Sequence, residues 1–98
     1  MISGSTIANN VASGDGGGVA NAGTITLTAT GIRSNTAAGN GGGVYNSGTA
    51  ALVDCQVSGN SAASGGGIYA VPGGTVTLTG TQVIHNKKND IVGTVTED

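Results

Sequence analysis

Apolar and polar residues alternate strictly over Thr24-Ile25-Thr26-Leu27-Thr28 and again over Thr75-Val76-Thr77-Leu78-Thr79. A period of two belongs to a strand with one buried face. Thr49-Ala50-Ala51-Leu52-Val53 keeps the same phase less cleanly, with Ala50 and Leu52 inward. Each of these stretches follows a Gly (Gly23, Gly48, Gly74), and no stretch holds a helical period for longer than a turn.

The three stretches are parts of one repeated unit. The pattern [I/V]-x-x-N occurs four times, at Ile7–Asn10, Ile32–Asn35, Val57–Asn60 and Val83–Asn86, in steps of 25, 25 and 26 residues. Gly-Gly-Gly-[V/I] occurs three times, ending at Val19, Val44 and Ile68. Turn-forming residues fill Ser3–Ser5, Ser13–Gly18, Ala37–Gly43 and Ala62–Gly67. Three short strands per unit, repeated at this interval, predict an all-β chain folded as a parallel β-helix of about four rungs.

The expected division is a single β-helix domain over 1–98. It has a partial rung at 1–15, full rungs at 16–40, 41–64 and 65–89, and a partial rung at 90–98. Val19, Val44 and Ile68 form one inward row. Ile25, Ala50 and Val76, with Leu27, Leu52 and Leu78 beside them, form a second. Ile7, Ile32, Val57 and Val83 form a third. Val71-Pro72 is an insertion and is expected in an outside loop, where proline leaves no gap in a ladder. Lys87, Lys88, Asp90, Glu97 and Asp98 read as a polar finish at one end.

Composition narrows the function. There are 20 Gly, two aromatic residues and 8% charged residues, with a net charge of −2. The only cations besides His85 are Arg33, Lys87 and Lys88, so nucleic acid is not an expected partner. No run of 18 apolar residues exists, so direct membrane insertion by a helix is not expected either. The first residues lack the pattern of a signal peptide, so a secreted or cell-surface location implies a fragment or a processed form.

GGG[I/V] and [I/V]xxN, once each per rung, resemble the repeats of chlamydial polymorphic outer-membrane proteins, which carry GGA[I/V/L] and FxxN. The closing NDIVGTV looks like the end of a repeat block in such proteins. The resemblance covers Ile7 to Thr96, with Phe replaced by Ile or Val throughout. It implies a right-handed parallel β-helix in a secreted or surface adhesin-like protein.

Asn10, Asn35, Asn60 and Asn86 are expected to form a structural ladder, each side-chain amide donating to the next and accepting from the one before. Ser5, Thr30, Cys55 and Thr81 align two residues before the inward Ile or Val, which makes Cys55 a small buried residue. His85 has no second His or Cys to complete a zinc site. Asp15, Asp54 and Asp90 do not pair in the way glycoside hydrolysis requires, and the Gly runs lack the Gly-Lys-Ser/Thr of a phosphate loop. No catalytic residue, metal site or cofactor is expected.

The remaining candidates lie on the outside. Thr24, Thr26 and Thr28 stack towards Thr75, Thr77 and Thr79, and Tyr45 stacks on Tyr69. Both sets are candidate surface-binding positions. The leading expectation is a non-enzymatic structural or adhesive segment, a stiff rod presenting weak multivalent contacts to a host surface or polysaccharide. End-to-end self-association is a further expectation. The alternatives are a fragment of a carbohydrate-active lyase- or hydrolase-like β-helix, and a binder of ice or polysaccharide surfaces through the Thr face.

Overall fold

The computed structural model describes residues 2–88, 90–93 and 95–97. Every assigned strand in it is short and every pairing is parallel. The first sheet stacks Ile2–Ser3, Thr24–Thr28, Thr49–Val53, Thr75–Thr79 and Thr96–Glu97 in that order. The second stacks Thr6–Ala8, Gly31–Arg33, Gln56–Ser58 and Gln82–Ile84. The third stacks Val19–Asn21, Val44–Asn46, Ile68–Ala70 and Ile91–Val92. Consecutive strands along the chain lie in different sheets, and each strand pairs with its counterpart one turn away. The molecule is a parallel β-solenoid of about four turns.

The register is that of the repeat. Val19 lies against Val44 and Val44 against Ile68. Leu27 faces Leu52, which faces Leu78. Ile32, Val57 and Val83 stack in the same way. Leu27, Ile32, Val44, Leu52, Val57 and Ile68 are fully buried, so the interior is a set of like-on-like aliphatic columns without an aromatic ring. A fourth corner carries a two-stranded pair, Val11–Ala12 with Thr36–Ala37, continued by bridges from Thr36 to Ser61 and from Ser61 to Lys87. Three strands per rung therefore understates the path of the chain. The fourth rung goes further than one strand: after Ile91–Val92, Val95 packs on the core and Thr96 pairs with Thr77. Met1, Asn89, Thr94 and Asp98, the last a member of the expected polar finish, lie outside the described residues.

The described residues extend 28 × 27 × 21 Å. A few rungs at about 4.8 Å each make a stack no taller than it is wide. This segment is a squat block, and a stiff rod would need more rungs than it contains.

Each glycine tract forms a bend, and Gly41–Gly43 shows why three are needed. Gly41 sits at φ +70°, a left-handed conformation that disfavours side chains. A Cβ on Gly42 would strike the carbonyl oxygens of Ser61 and Gly66, and one on Gly43 would come within 2.6 Å of the Gly67 carbonyl oxygen. The tract lies flat against the next rung, and its N–H groups bond across to Ser64, Gly65 and Gly66.

The [I/V]xxN bend is held by side chains. The Asn35 Nδ2 donates to Asn60 Oδ1 at 3.0 Å, and the Asn60 Nδ2 donates to Asn86 Oδ1 at 3.0 Å. The backbone N–H of each donates to the same oxygen, at 2.9 Å in both cases. The second amide hydrogen goes back to a carbonyl of the preceding rung, Ile7 for Asn35 and Ile32 for Asn60. Asn10 enters the row in the same way, through Nδ2 and N–H to Asn35 Oδ1. Asn35 and Asn60 are fully buried. Among the described residues, no buried side-chain nitrogen or oxygen lacks a partner.

The ladder ends on a carboxylate. Asp90 Oδ1 accepts the Asn86 N–H at 2.9 Å and its Nδ2 at 3.1 Å, the same two bonds that Asn86 Oδ1 accepts from Asn60. Asp90 precedes Ile91 as Gly67 precedes Ile68, so it occupies the glycine column of the fourth rung.

Two stability predictions follow from these bends. Asn60→Ala strands the buried N–H and Nδ2 of Asn35, a loss of at least about 2 kcal/mol, and should lower the Tm by about 10 °C for a chain of this size. Asp90→Ala should cost clearly less, because its end of the ladder is exposed, while Asp90→Asn should be close to neutral because an amide oxygen can accept the same pair. Thermal melts of the three variants check this order. Ala29, exposed at φ +51°, stands in a column whose other members are Gly4, Asp54 and Gly80, all at positive φ. Ala29→Gly relieves left-handed strain of roughly 1–2 kcal/mol, offset in part by unfolded-chain entropy. It should raise the Tm by a few degrees in the same assay.

Candidate functional site

The interior leaves little for chemistry. Asn10, Asn35, Asn60 and Asn86 spend their amides on one another, on backbone and on Asp90, so the row does not face a ligand. Cys55 is buried, with Sγ 3.2 Å from the Leu27 carbonyl oxygen and 3.3 Å from that of Val53. Its column neighbours do similar work: the Thr30 hydroxyl donates to the Thr28 carbonyl at 3.0 Å, and the Thr81 hydroxyl to the Leu52 carbonyl at 2.9 Å. A small donor pinning a bend accounts for this column.

The titratable groups stay apart. His85 is exposed at a left-handed bend, φ +56°, in the column of Asn9, Ser34 and Gly59, which all have positive φ. Asp15 Oδ1 accepts the Asn40 N–H at 2.8 Å, and Asp54 lies on the bend shared with Ala29 and Gly80. Among the described residues, no three His, Cys, Asp or Glu side chains gather where they could hold a metal ion, and no helix is long and apolar enough to cross a membrane. The latter fact does not bear on β-barrels.

The outward faces carry the remaining candidates. On the first sheet, Thr24, Thr49 and Thr75 form one column. Thr26, Ala51, Thr77 and Thr96 form the next, and Ser3, Thr28, Val53 and Thr79 the third. Ala51 and Val53 put apolar gaps in the middle of the array. On the third sheet, Tyr45 and Tyr69 are in register, flanked by Ala20 below and Val92 above. Their rings stack with centroids 5.7 Å apart and planes 8° from parallel. Both are half-buried.

Beside Tyr69 the wall of the solenoid is interrupted. The Gly74 N–H donates to the Val71 carbonyl at 2.9 Å, and Gly73 has φ +92°. Proline second and a positive-φ glycine third are the marks of a type II turn. This turn replaces the asparagine corner of the earlier rungs. There, Asn21 Nδ2 donates to Asn46 Oδ1 at 2.8 Å, and Asn46 Nδ2 donates to the Gly48 and Thr75 carbonyls at 3.0 Å. Asn46 is fully buried and Ala70 stands over it. The turn lines a cavity of about 290 Å³, together with Tyr69, Ala70, Val92 and Gly93.

Sequence reasoning missed three of these features. Asn21 and Asn46 form a second, two-member ladder, signalled only by GGGVAN and GGGVYN before the third unit changes to GGGIYA. Asp90 as the ladder's terminus had no signal, since it stands four residues from its partner in a column of glycines. The cavity joins two features, the tyrosine pair and the Val71-Pro72 insertion, that are distinct in the sequence.

Residues 54–71 match the family model for the Chlamydia polymorphic membrane protein repeat. That span, Asp54 to Val71, contains the Val57–Asn60 bend, the Gly65–Gly67 tract and Tyr69. No curated protein and no solved structure matches the chain. The geometry and the match together support one statement: this is a parallel β-solenoid whose residues 54–71 are similar to the Chlamydia polymorphic membrane protein repeat.

Proposed function

We propose that this chain is a non-enzymatic, adhesive β-solenoid segment of a cell-surface or secreted protein, binding a host surface or polysaccharide through its outer faces. The observation that carries the reading is the division of labour between inside and outside. The buried amides and hydroxyls are consumed in holding bends, whereas the outward columns are neutral, regular and rigidly spaced. The repeat match over residues 54–71, to a family whose description names a membrane protein, supports a place at the cell surface.

A rigid face repeating at strand spacing makes weak contacts that add when several copies engage one surface. The carbohydrate-active alternative would need a pair of carboxylates facing one sugar, and Asp15, Asp54, Asp90 and Glu97 supply no such pair across adjacent rungs. The reading of the Thr face as a binder of crystalline surfaces is weakened by Ala51 and Val53.

The test compares the monomer with a streptavidin-linked tetramer for retention on cultured epithelial cells and on immobilised neutral polysaccharides. The tetramer should be retained at least about 100-fold more strongly than the monomer. Retention of neither form above a scrambled-sequence control would refute an adhesive role, and release of reducing ends from the polysaccharides would support the hydrolase reading instead.

A further inference from the structure

The geometry points to the cavity beside Tyr69 as a binding site for one neutral pyranose ring, stacked on the phenol face of Tyr69 and walled by the Val71–Gly74 turn. The site deepens the adhesive reading by naming a ligand class and a place, but it stands on its own observations.

The first observation is the tyrosine stack. Two half-buried, nearly parallel rings hold each other in place, so Tyr69 is a fixed platform. Tyr45 covers one of its faces. On the other side the in-register neighbour is Val92, whose three-carbon side chain is too short to cover a phenol ring. An aromatic face is negative at its centre, and the axial C–H groups of a sugar ring present the complementary positive edge.

The second observation is the turn. Ala20 leaves the lower face of Tyr45 equally bare, but the adjoining corner there is the asparagine corner and not an inserted turn. Only the third rung carries the insertion, and Val71, Pro72 and Gly73 of that turn line the same cavity as Tyr69. In a type II turn the central peptide, here the Pro72 carbonyl and the Gly73 N–H, takes no part in the turn's own hydrogen bond. It is positioned to serve the hydroxyls at a sugar's edge.

Size and charge select the ligand. A volume of about 290 Å³ lies at the lower limit of the roughly 300–1,000 Å³ typical of small-molecule pockets. It suits a single ring, the terminal residue of a glycan. Among the described residues no carboxylate, ammonium or guanidinium lines the cavity, which favours a neutral sugar over a uronic or sialic acid. A proline-rich peptide is the competing occupant, since aromatic grooves also accept such segments. Tyr69 is the one aromatic residue among those lining the cavity, which favours a single sugar ring over an extended peptide.

The test is a titration of the intact chain with methyl glycosides of glucose, galactose, mannose and N-acetylglucosamine, followed by amide chemical shifts in NMR. At least one glycoside should give saturable millimolar shifts centred on Tyr69, Gly73 and Gly93. Tyr69→Leu should weaken that binding at least tenfold. Val92→Phe, which covers the ring and fills the cavity without touching the core column of Ile91, should abolish it with the Tm unchanged. Thr77→Ala on the first sheet should leave it intact. Absence of saturable shifts with all four glycosides, or shifts that survive both variants, overturns the assignment. Shifts at the same amides with a proline decamer but with no sugar would transfer the site to a peptide. Tetramer retention that persists in Val92→Phe would leave adhesion standing while placing it elsewhere, so the two claims fail separately.

Discussion

Everything in this molecule rests on hydrogen bonds that run along the solenoid axis from one rung to the next. A chain with 20 Gly among 98 residues and no Phe or Trp cannot rely on a large apolar core. It relies instead on pairing its polar groups: among the described residues no buried side-chain nitrogen or oxygen lacks a partner. The asparagine row solves the corner after each [I/V]xxN, because a planar amide has one acceptor and two donors to distribute. The oxygen serves two donors of the rung before, one hydrogen serves the rung after, and the other returns to a backbone carbonyl. The glycine tracts solve the opposite corner by removing the side chains that would hold neighbouring rungs apart.

Such an arrangement has direction, and the ladder must end somewhere. The amide-to-amide bonds run towards the C-terminal side, so the last amide needs an acceptor beyond it. Asp90 meets that requirement. The glycine column tolerates a side chain there because the ladder goes no further, and the carboxylate swings into the place a next amide oxygen would fill. Glu97, in register with Leu78, likewise sets a charge in an aliphatic column.

The columns were legible from sequence because each position repeats three or four times with the same physical demand. Leu27, Leu52 and Leu78 must be apolar, and Gly42 must lack a Cβ. Features that occur once or twice carry no such signature. The fourth corner is built from pieces one or two residues long, too short to alternate, and there Val11 is 81% exposed. The Asn21–Asn46 pair is broken by Ala70. The cavity beside Tyr69 arises from a departure from the repeat, and departures are where a regular scaffold acquires individual surfaces.

The most direct test of axial hydrogen bonding is a measurement of through-hydrogen-bond scalar couplings on isotope-labelled protein. The backbone N–H of Asn35 should couple to the side-chain carbonyl carbon of Asn60, and that of Asn60 to the side-chain carbonyl carbon of Asn86, partners 25 and 26 residues away. Both amides should exchange with solvent as slowly as the central strands. Couplings to groups within a few residues, or rapid exchange at Asn35 and Asn60, would contradict the stacked ladder and with it the placement of every surface described above.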